Sequence, residues 1–103
     1  MRKQLAAGLN YSLCGIPYWN TDLGGFFAWK YNNDVNNIAY HELHVRWYQW
    51  GAFQPIMRSH NSSPVAVEIY QFGDKGDWAY DALEKYTICV IAYYLIYIVL
   101  LGK

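Results

Sequence analysis

Apolar positions fall into blocks whose period changes along the chain. Residues 1–11 carry a short basic start and mixed apolar positions, and read as the end of a helix with Gly8 or Asn10 near its C-terminus. Ile16, Tyr18 and Trp19 then form a short β-compatible run, which predicts a buried strand over residues 15–22 with Asn20-Thr21-Asp22 as its polar tip. Gly24-Gly25 supply a turn where positive φ and a close backbone approach are permitted. The asparagine-rich stretch Trp29 to Asn37 lacks helical periodicity and predicts a loop. From Tyr40 the period becomes helical: Tyr40, Leu43, Trp47 and Trp50 share a stripe, with His41, Glu42, Arg46 and Gln49 mostly between them, which predicts a helix over residues 40–51 ending at Gly51. Residues 52–60 predict a second strand ending in Arg58-Ser59-His60. Serines, Pro64 and glycines make residues 61–78 a long loop with a short extended piece around Val65 to Tyr70. Residues 79–101 return to helix, with Leu83 and Tyr86 on one face and Asp81, Glu84 and Lys85 on the other.

Strand, polar tip, helix, strand, polar tip is the order in which a barrel of alternating strands and helices presents side chains to a ligand. The fold class is therefore α/β. A complete barrel of that kind takes roughly 250 residues, so the 103 residues here hold only about two strand–helix units. A composition 54% apolar and 19% aromatic is too rich for disorder, and implies apolar surface and strand edges that favour self-association. With a formal charge of zero there is no basic groove for nucleic acid, and the aromatic residues do not make a base-stacking platform without one. The N-terminus has no sustained apolar core of the kind a secretory leader needs. Cys14 and Cys89, far apart in sequence, are expected as buried free thiols rather than a bridge or a metal pair.

Two segments carry more than pattern. Gly15-Ile-Pro-Tyr-Trp-Asn-Thr-Asp22-Leu-Gly-Gly-Phe26 and Val45-Arg46-Trp47-Tyr-Gln-Trp-Gly51-Ala-Phe53-Gln-Pro55-Ile-Met-Arg58-Ser-His60 resemble the seventh and eighth strand regions of glycoside hydrolase family 31, the retaining α-glucosidases and α-xylosidases. The resemblance runs from about Leu5 to Lys85, in order. It implies a partial (β/α)8 TIM barrel, an α-linked glucose or xylose as the bound carbohydrate, and no cofactor. The asparagine-rich insert and the Pro-Tyr-Trp-Asn-Thr-Asp wording tilt it toward α-xylosidase-like members. Departures fall after the second strand, where His60-Asn61-Ser62 and Val67-Glu68-Ile69 replace the family's usual His-Gly-Thr and Arg-Glu-Ile.

Site residues follow from the same likeness. Read alone, Asp22 is a strand-end carboxylate capping a turn; the resemblance makes it a carboxylate at the pocket floor that orients substrate without transferring a proton. His60 read alone is a satisfied strand-end histidine; the resemblance gives it a hydrogen bond to a sugar hydroxyl in the −1 subsite, for which imidazole offers both a donor and an acceptor. Phe26 becomes the apolar wall against the sugar ring, and Trp19 stays in the core. Arg58 anchors the loop by pairing with a carboxylate, and Trp29 supports a further sugar or is a plain loop residue. A retaining glycosidase needs two carboxylates roughly 5 Å apart. In the family both come from earlier strands, so the resemblance leaves this segment with no catalytic residue. His41-Glu42-Leu43-His44 does not match the zinc spacing His-Glu-x-x-His. Neither a serine or cysteine elbow nor a phosphate-binding glycine loop is present.

The tail departs from any barrel helix. Tyr86 to Gly102 contains no charged residue, although a helix packed on the outside of a barrel should have a polar face. A spanning helix takes roughly 20 apolar residues and this run is shorter, so a membrane segment is not the favoured reading. The resemblance leads to Leu-Arg-Tyr-Arg-Leu-Leu-Pro-Tyr-Ile-Tyr at this place. Cys89-Val-Ile-Ala-Tyr-Tyr-Leu-Ile-Tyr-Ile98 can be written in codons that give those residues when read one nucleotide earlier. The residues after about Thr87 are thus expected to be an out-of-frame translation. The rival readings are a small membrane-anchored binding module, which would keep expressed protein on washed membranes, and an inert translation product. Resequencing the source DNA should reveal one gained or lost base near codon 88; an uninterrupted frame would remove the idea.

Overall fold

In the structure, a computed structural model, residues 1–62 and 66–101 are described. Helix α1 (Arg2–Leu13) runs past both Gly8 and Asn10, where its end was expected. Gly8 is a packing position: a Cβ there would meet the Trp19 ring at 2.3 Å. The stop comes at Gly15, whose φ of +77° allows the N–H groups of Gly15 and Ile16 to bond back to the carbonyls of Ser12 and Tyr11. Trp19 binds this helix to the rest, donating from Nε1 to Ser12 Oγ at 3.2 Å and lying 6.0 Å from the ring of Trp50.

Strand β1 is Leu23–Phe26 and strand β2 is Ser59–Asn61, paired in parallel. Both lie further along the chain than their spacing predicted. Residues 15–22 are not a strand: Ile16 and Tyr18 are exposed, and the ladder begins only where Arg58 O accepts from Leu23 N. Residues 52–58 are not one either, because Phe53 N and Gln54 N turn back onto Trp50 O and Gly51 O and so continue the preceding helix end. A β-compatible run becomes a strand only opposite a partner, and each of these runs lies outside the short register in which the two segments meet. The leading loops are joined instead by Gln54, whose buried side chain accepts from Thr21 N at 3.1 Å and donates to Thr21 Oγ1 at 2.6 Å.

Helix α2 (Ile38–Gly51) begins two residues before the predicted start because Asn37 caps it, accepting from Ala39 N and Tyr40 N. Its buried residues are Tyr40, His44, Val45, Trp47, Tyr48 and Gly51, with Leu43 and Trp50 half-buried beside them. Leu23, Ala28, Val67, Phe72, Ala79 and Leu83 complete the core. A 3-10 turn, Trp29–Tyr31, interrupts the asparagine-rich loop, and another, Ile69–Phe72, stands where part of an extended piece was expected. The start of that piece, Val65, lies outside the described residues.

Helix α3 (Trp78–Leu101) buries only Ala79 and Leu83. Its 24 residues span about 36 Å, so it is longer than the uncharged run alone and is long and apolar enough to cross a membrane by length and composition. Cys14 and Cys89 are both exposed free thiols, contrary to the burial expected of them. Cys14 caps α1, and Cys89 stands on α3 beyond Leu83, the last buried residue of that helix.

Gly24, with a φ of +103°, packs closely on α2: a Cβ there would lie 2.8 Å from His44 Nδ1. Gly76 has a similar φ, +106°, but open space around it. Gly76→Ala should cost about 1–2 kcal/mol of backbone strain alone, whereas Gly24→Ala should add a packing clash and cost roughly 2–4 kcal/mol. Urea denaturation followed by tryptophan fluorescence separates the two; equal losses would show that α2 and β1 are not in tight contact.

Candidate functional site

Register brings the polar ends of the two segments together. Leu23 pairs with Ser59 and Phe26 with Asn61, so β1 spends one more residue than β2 over the same span. Gly24, Gly25 and Phe26 absorb that bulge with φ values of +103°, +88° and +65°. The glycines reach the left-handed region freely, but for a bulky aromatic residue it is an uncommon conformation that the surroundings must hold in place. The result turns Phe26 toward β2, where its ring lies 5.6 Å from that of His60 and 4.7 Å, edge-on, from Phe27.

Asp22 precedes the paired strand instead of ending it, since β1 begins at Leu23. Its carboxylate accepts from Arg58 Nη2 at 2.8 Å, in a single contact rather than a two-pronged one. Asp22 is thus the carboxylate that Arg58 pairs with, and the pair straddles the approach to both strands. The Asp22 side chain keeps 33% of its surface exposed and Arg58 keeps 53%, which leaves the pair accessible to solvent and to a ligand. His60 lies within β2 and is exposed.

A cleft of about 700 Å³ opens beside this edge, lined by Asp22, Phe26, Trp29, Tyr31 and Trp47 among others. His60 lies beside Phe26 and is not part of that lining. Trp29 is 64% exposed at the cleft margin, with Lys30 Nζ 5.8 Å from its ring centre. The cleft therefore combines a half-buried carboxylate with several aromatic side chains, a mixture suited to a neutral ligand with both hydroxyl and C–H surfaces. Among the described residues no group of three or more histidine, cysteine, aspartate or glutamate side chains is placed to hold a metal ion. His41 and His44 diverge: His41 Nε2 donates to Val35 O at 2.6 Å, while His44 is buried in the core.

The edge is supported by residues that the spacing did not single out. Asn61 Nδ2 donates to Tyr40 Oη at 2.8 Å, tying β2 to α2. Burial pushes the Tyr40 phenol up to about 12, aided by Tyr31 and opposed by the Asn61 bond. Burial likewise raises Tyr48. Thr21 and Gln54 fix the loops ahead of both strands; a buried glutamine facing a threonine is visible only once the two segments are laid side by side.

Comparison with known proteins places this geometry in a family. Residues 1–91 match the description "Glycosyl hydrolases family 31 TIM-barrel domain". An uncharacterized family 31 glucosidase of Pseudescherichia vulneris is 51% identical over 59 residues, covering 57% of this chain and 10% of that protein. An alpha-xylosidase of Saccharolobus solfataricus is 50% identical over 62 residues, covering 60% and 8% respectively. Alpha-xylosidase A of Aspergillus niger is 32% identical over 94 residues, covering 87% and 12%. The chain thus spans about a tenth of the length of each of these relatives. No solved structure matches it.

Proposed function

The chain belongs to glycosyl hydrolase family 31, and from that premise we propose that it is part of a retaining α-glycosidase acting on α-xylosides or α-glucosides. In this reading β1 and β2 stand for the seventh and eighth strands of the barrel, and the described piece, with its two parallel strands, is compatible with that. The observation that carries the proposal is the parallel pairing that sets Asp22 on Arg58 ahead of the strands and Phe26 beside His60 along them, with Asp22 and Phe26 lining an open cleft.

Each of these side chains has a role that its setting allows. Phe26, held by its strained backbone, offers a fixed apolar face to the sugar ring and keeps water from a positively charged transition state. His60 bonds a sugar hydroxyl in the −1 subsite and does so more strongly as the ring flattens. Asp22, oriented by Arg58, accepts from substrate hydroxyls without transferring a proton. Trp29 at the margin supports a further sugar. The nucleophile and the acid/base are proposed to come from elsewhere in a longer parent, and the open strand edges here to favour self-association.

The absence of any charged residue from Tyr86 to Gly102 supports the proposal that the tail after about Thr87 is read out of frame. A membrane-anchored module is the second reading, favoured by the length and exposure of α3. An intact reading frame together with retention on washed membranes would choose it.

The purified chain should not hydrolyse p-nitrophenyl α-xyloside or α-glucoside, because side chains that only position a substrate do not replace a nucleophile and an acid/base. In a full-length family 31 enzyme carrying this segment, His60→Ala should lower kcat/KM at least tenfold, or about 1.4 kcal/mol, mainly through kcat. Wild-type kinetics in a folded His60→Ala enzyme would remove His60 from the −1 subsite.

A further inference from the structure

Helix α2 places a histidine where the rest of the core is aromatic or aliphatic. His44 has no exposed surface, and its ring stacks on Phe72 with 4.3 Å between centres and 14° between planes. Tyr48 and Tyr40 flank it at 5.1 Å and 5.8 Å. Neither Nδ1 nor Nε2 has a hydrogen-bond partner among the described residues. On the remaining side the Gly24 backbone comes so near that a Cβ there would stand 2.8 Å from Nδ1. His44 therefore fills the space directly behind the bulge that ends in Phe26.

Among the described residues, a proton added to this ring would meet no compensating charge. From α2 the titratable neighbours are the phenols of Tyr40 and Tyr48 and, one turn back, His41, whose charge opposes a second one. From the turn Ile69–Phe72 only the Phe72 ring faces it, and Glu68 acts on Tyr48. From β1 comes an uncharged glycine backbone; Asn61 and Ser59 of β2 are uncharged and engage Tyr40 and Tyr48. A buried imidazolium without an acceptor or a counter-charge is costly, so the ring stays neutral while it stays in place.

We infer that His44 is a positioning residue that works as a proton-sensitive latch: neutral, it holds the Gly24–Phe26 bulge in place, and protonated, it leaves the aromatic cage and releases that bulge. Burial first, and then His41, lower its pKa from 6.5 to about 3. The folded value lies below the unfolded one, so the open form binds more protons between the two. The latch is fully set above the unfolded value of 6.5 and weakens progressively as pH falls toward about 3. The inference does not rest on the carbohydrate reading, because it concerns the backbone of β1 whatever ligand that edge meets.

Hydrogen exchange of the full chain, read by mass spectrometry and corrected for intrinsic rates, tests it on peptides covering Leu23–Phe26. Protection there should fall about 25-fold from pH 7 to pH 5, the ratio for one proton linked between 6.5 and about 3. That interval lies above the usual carboxylate range. His44→Phe, which refills the cage without an ionisable group, should reduce the fall to less than threefold. His41→Asn and His60→Asn should retain it. Flat wild-type protection, a fall that survives in His44→Phe, or a fall abolished by His41→Asn would each overturn the latch. If His44→Phe loosens the bulge already at pH 7, the wild-type profile and the His41→Asn variant still decide.

Discussion

Gly24 can approach His44, and Gly51 can approach Leu23, only because neither glycine carries a Cβ, and these two contacts seat α2 behind the paired strands. A Cβ at Gly51 would lie 2.6 Å from Leu23 Cδ1, and Leu23 is wholly buried. With α2 that close, the Tyr40 hydroxyl reaches Asn61 of β2 and the Trp47 ring lies against Gly25 of β1. Both strands are thereby fixed to one helix, and their mutual register follows. The bulge is the geometric consequence, and the placing of Phe26 against His60 follows from it. Without α2, two strands of four and three residues would have too little contact to hold any arrangement.

The helical elements were legible where local chemistry decides. The period from Tyr40 to Trp50 needs no partner to be read, and Gly51 ends the helix where packing on Leu23 demands a glycine. Strand positions were less legible because a strand is defined by what it pairs with. Ile16, Pro17, Tyr18 and Trp19 look like a strand, yet only Trp19 finds a packing partner, in α1 and Trp50. The end of α1 had its signal in Gly15, but Gly8 looked equally like a stop until the Trp19 ring accounted for it.

Of the candidate site, residue types were legible and adjacency was not. Arg58 was readable as the partner of some carboxylate, while its pairing with Asp22 depends on β1 and β2 running side by side. The nearness of Phe26 to His60 depends on a bulge, a one-residue feature announced only by Gly24-Gly25. His44 was hidden because its neighbour His41 sits on the same helix one turn earlier, and spacing alone gave no reason to bury one and leave the other bonded to Val35. The tail shows the opposite case: from Ile88 onward α3 keeps the backbone of a helix while most of its apolar side chains remain exposed, so composition and packing disagree there.

The central claim is that the parallel pairing of β1 and β2 turns Asp22, Phe26 and His60 into one sugar-facing edge. A crystal structure of a full-length family 31 enzyme carrying this segment, with an α-xyloside or α-glucoside bound, tests it most directly. The account predicts the Phe26 ring against the sugar, a His60 nitrogen within hydrogen-bond distance of a sugar hydroxyl, and the Asp22–Arg58 pair intact at the pocket floor. A sugar bound away from all three side chains would contradict it.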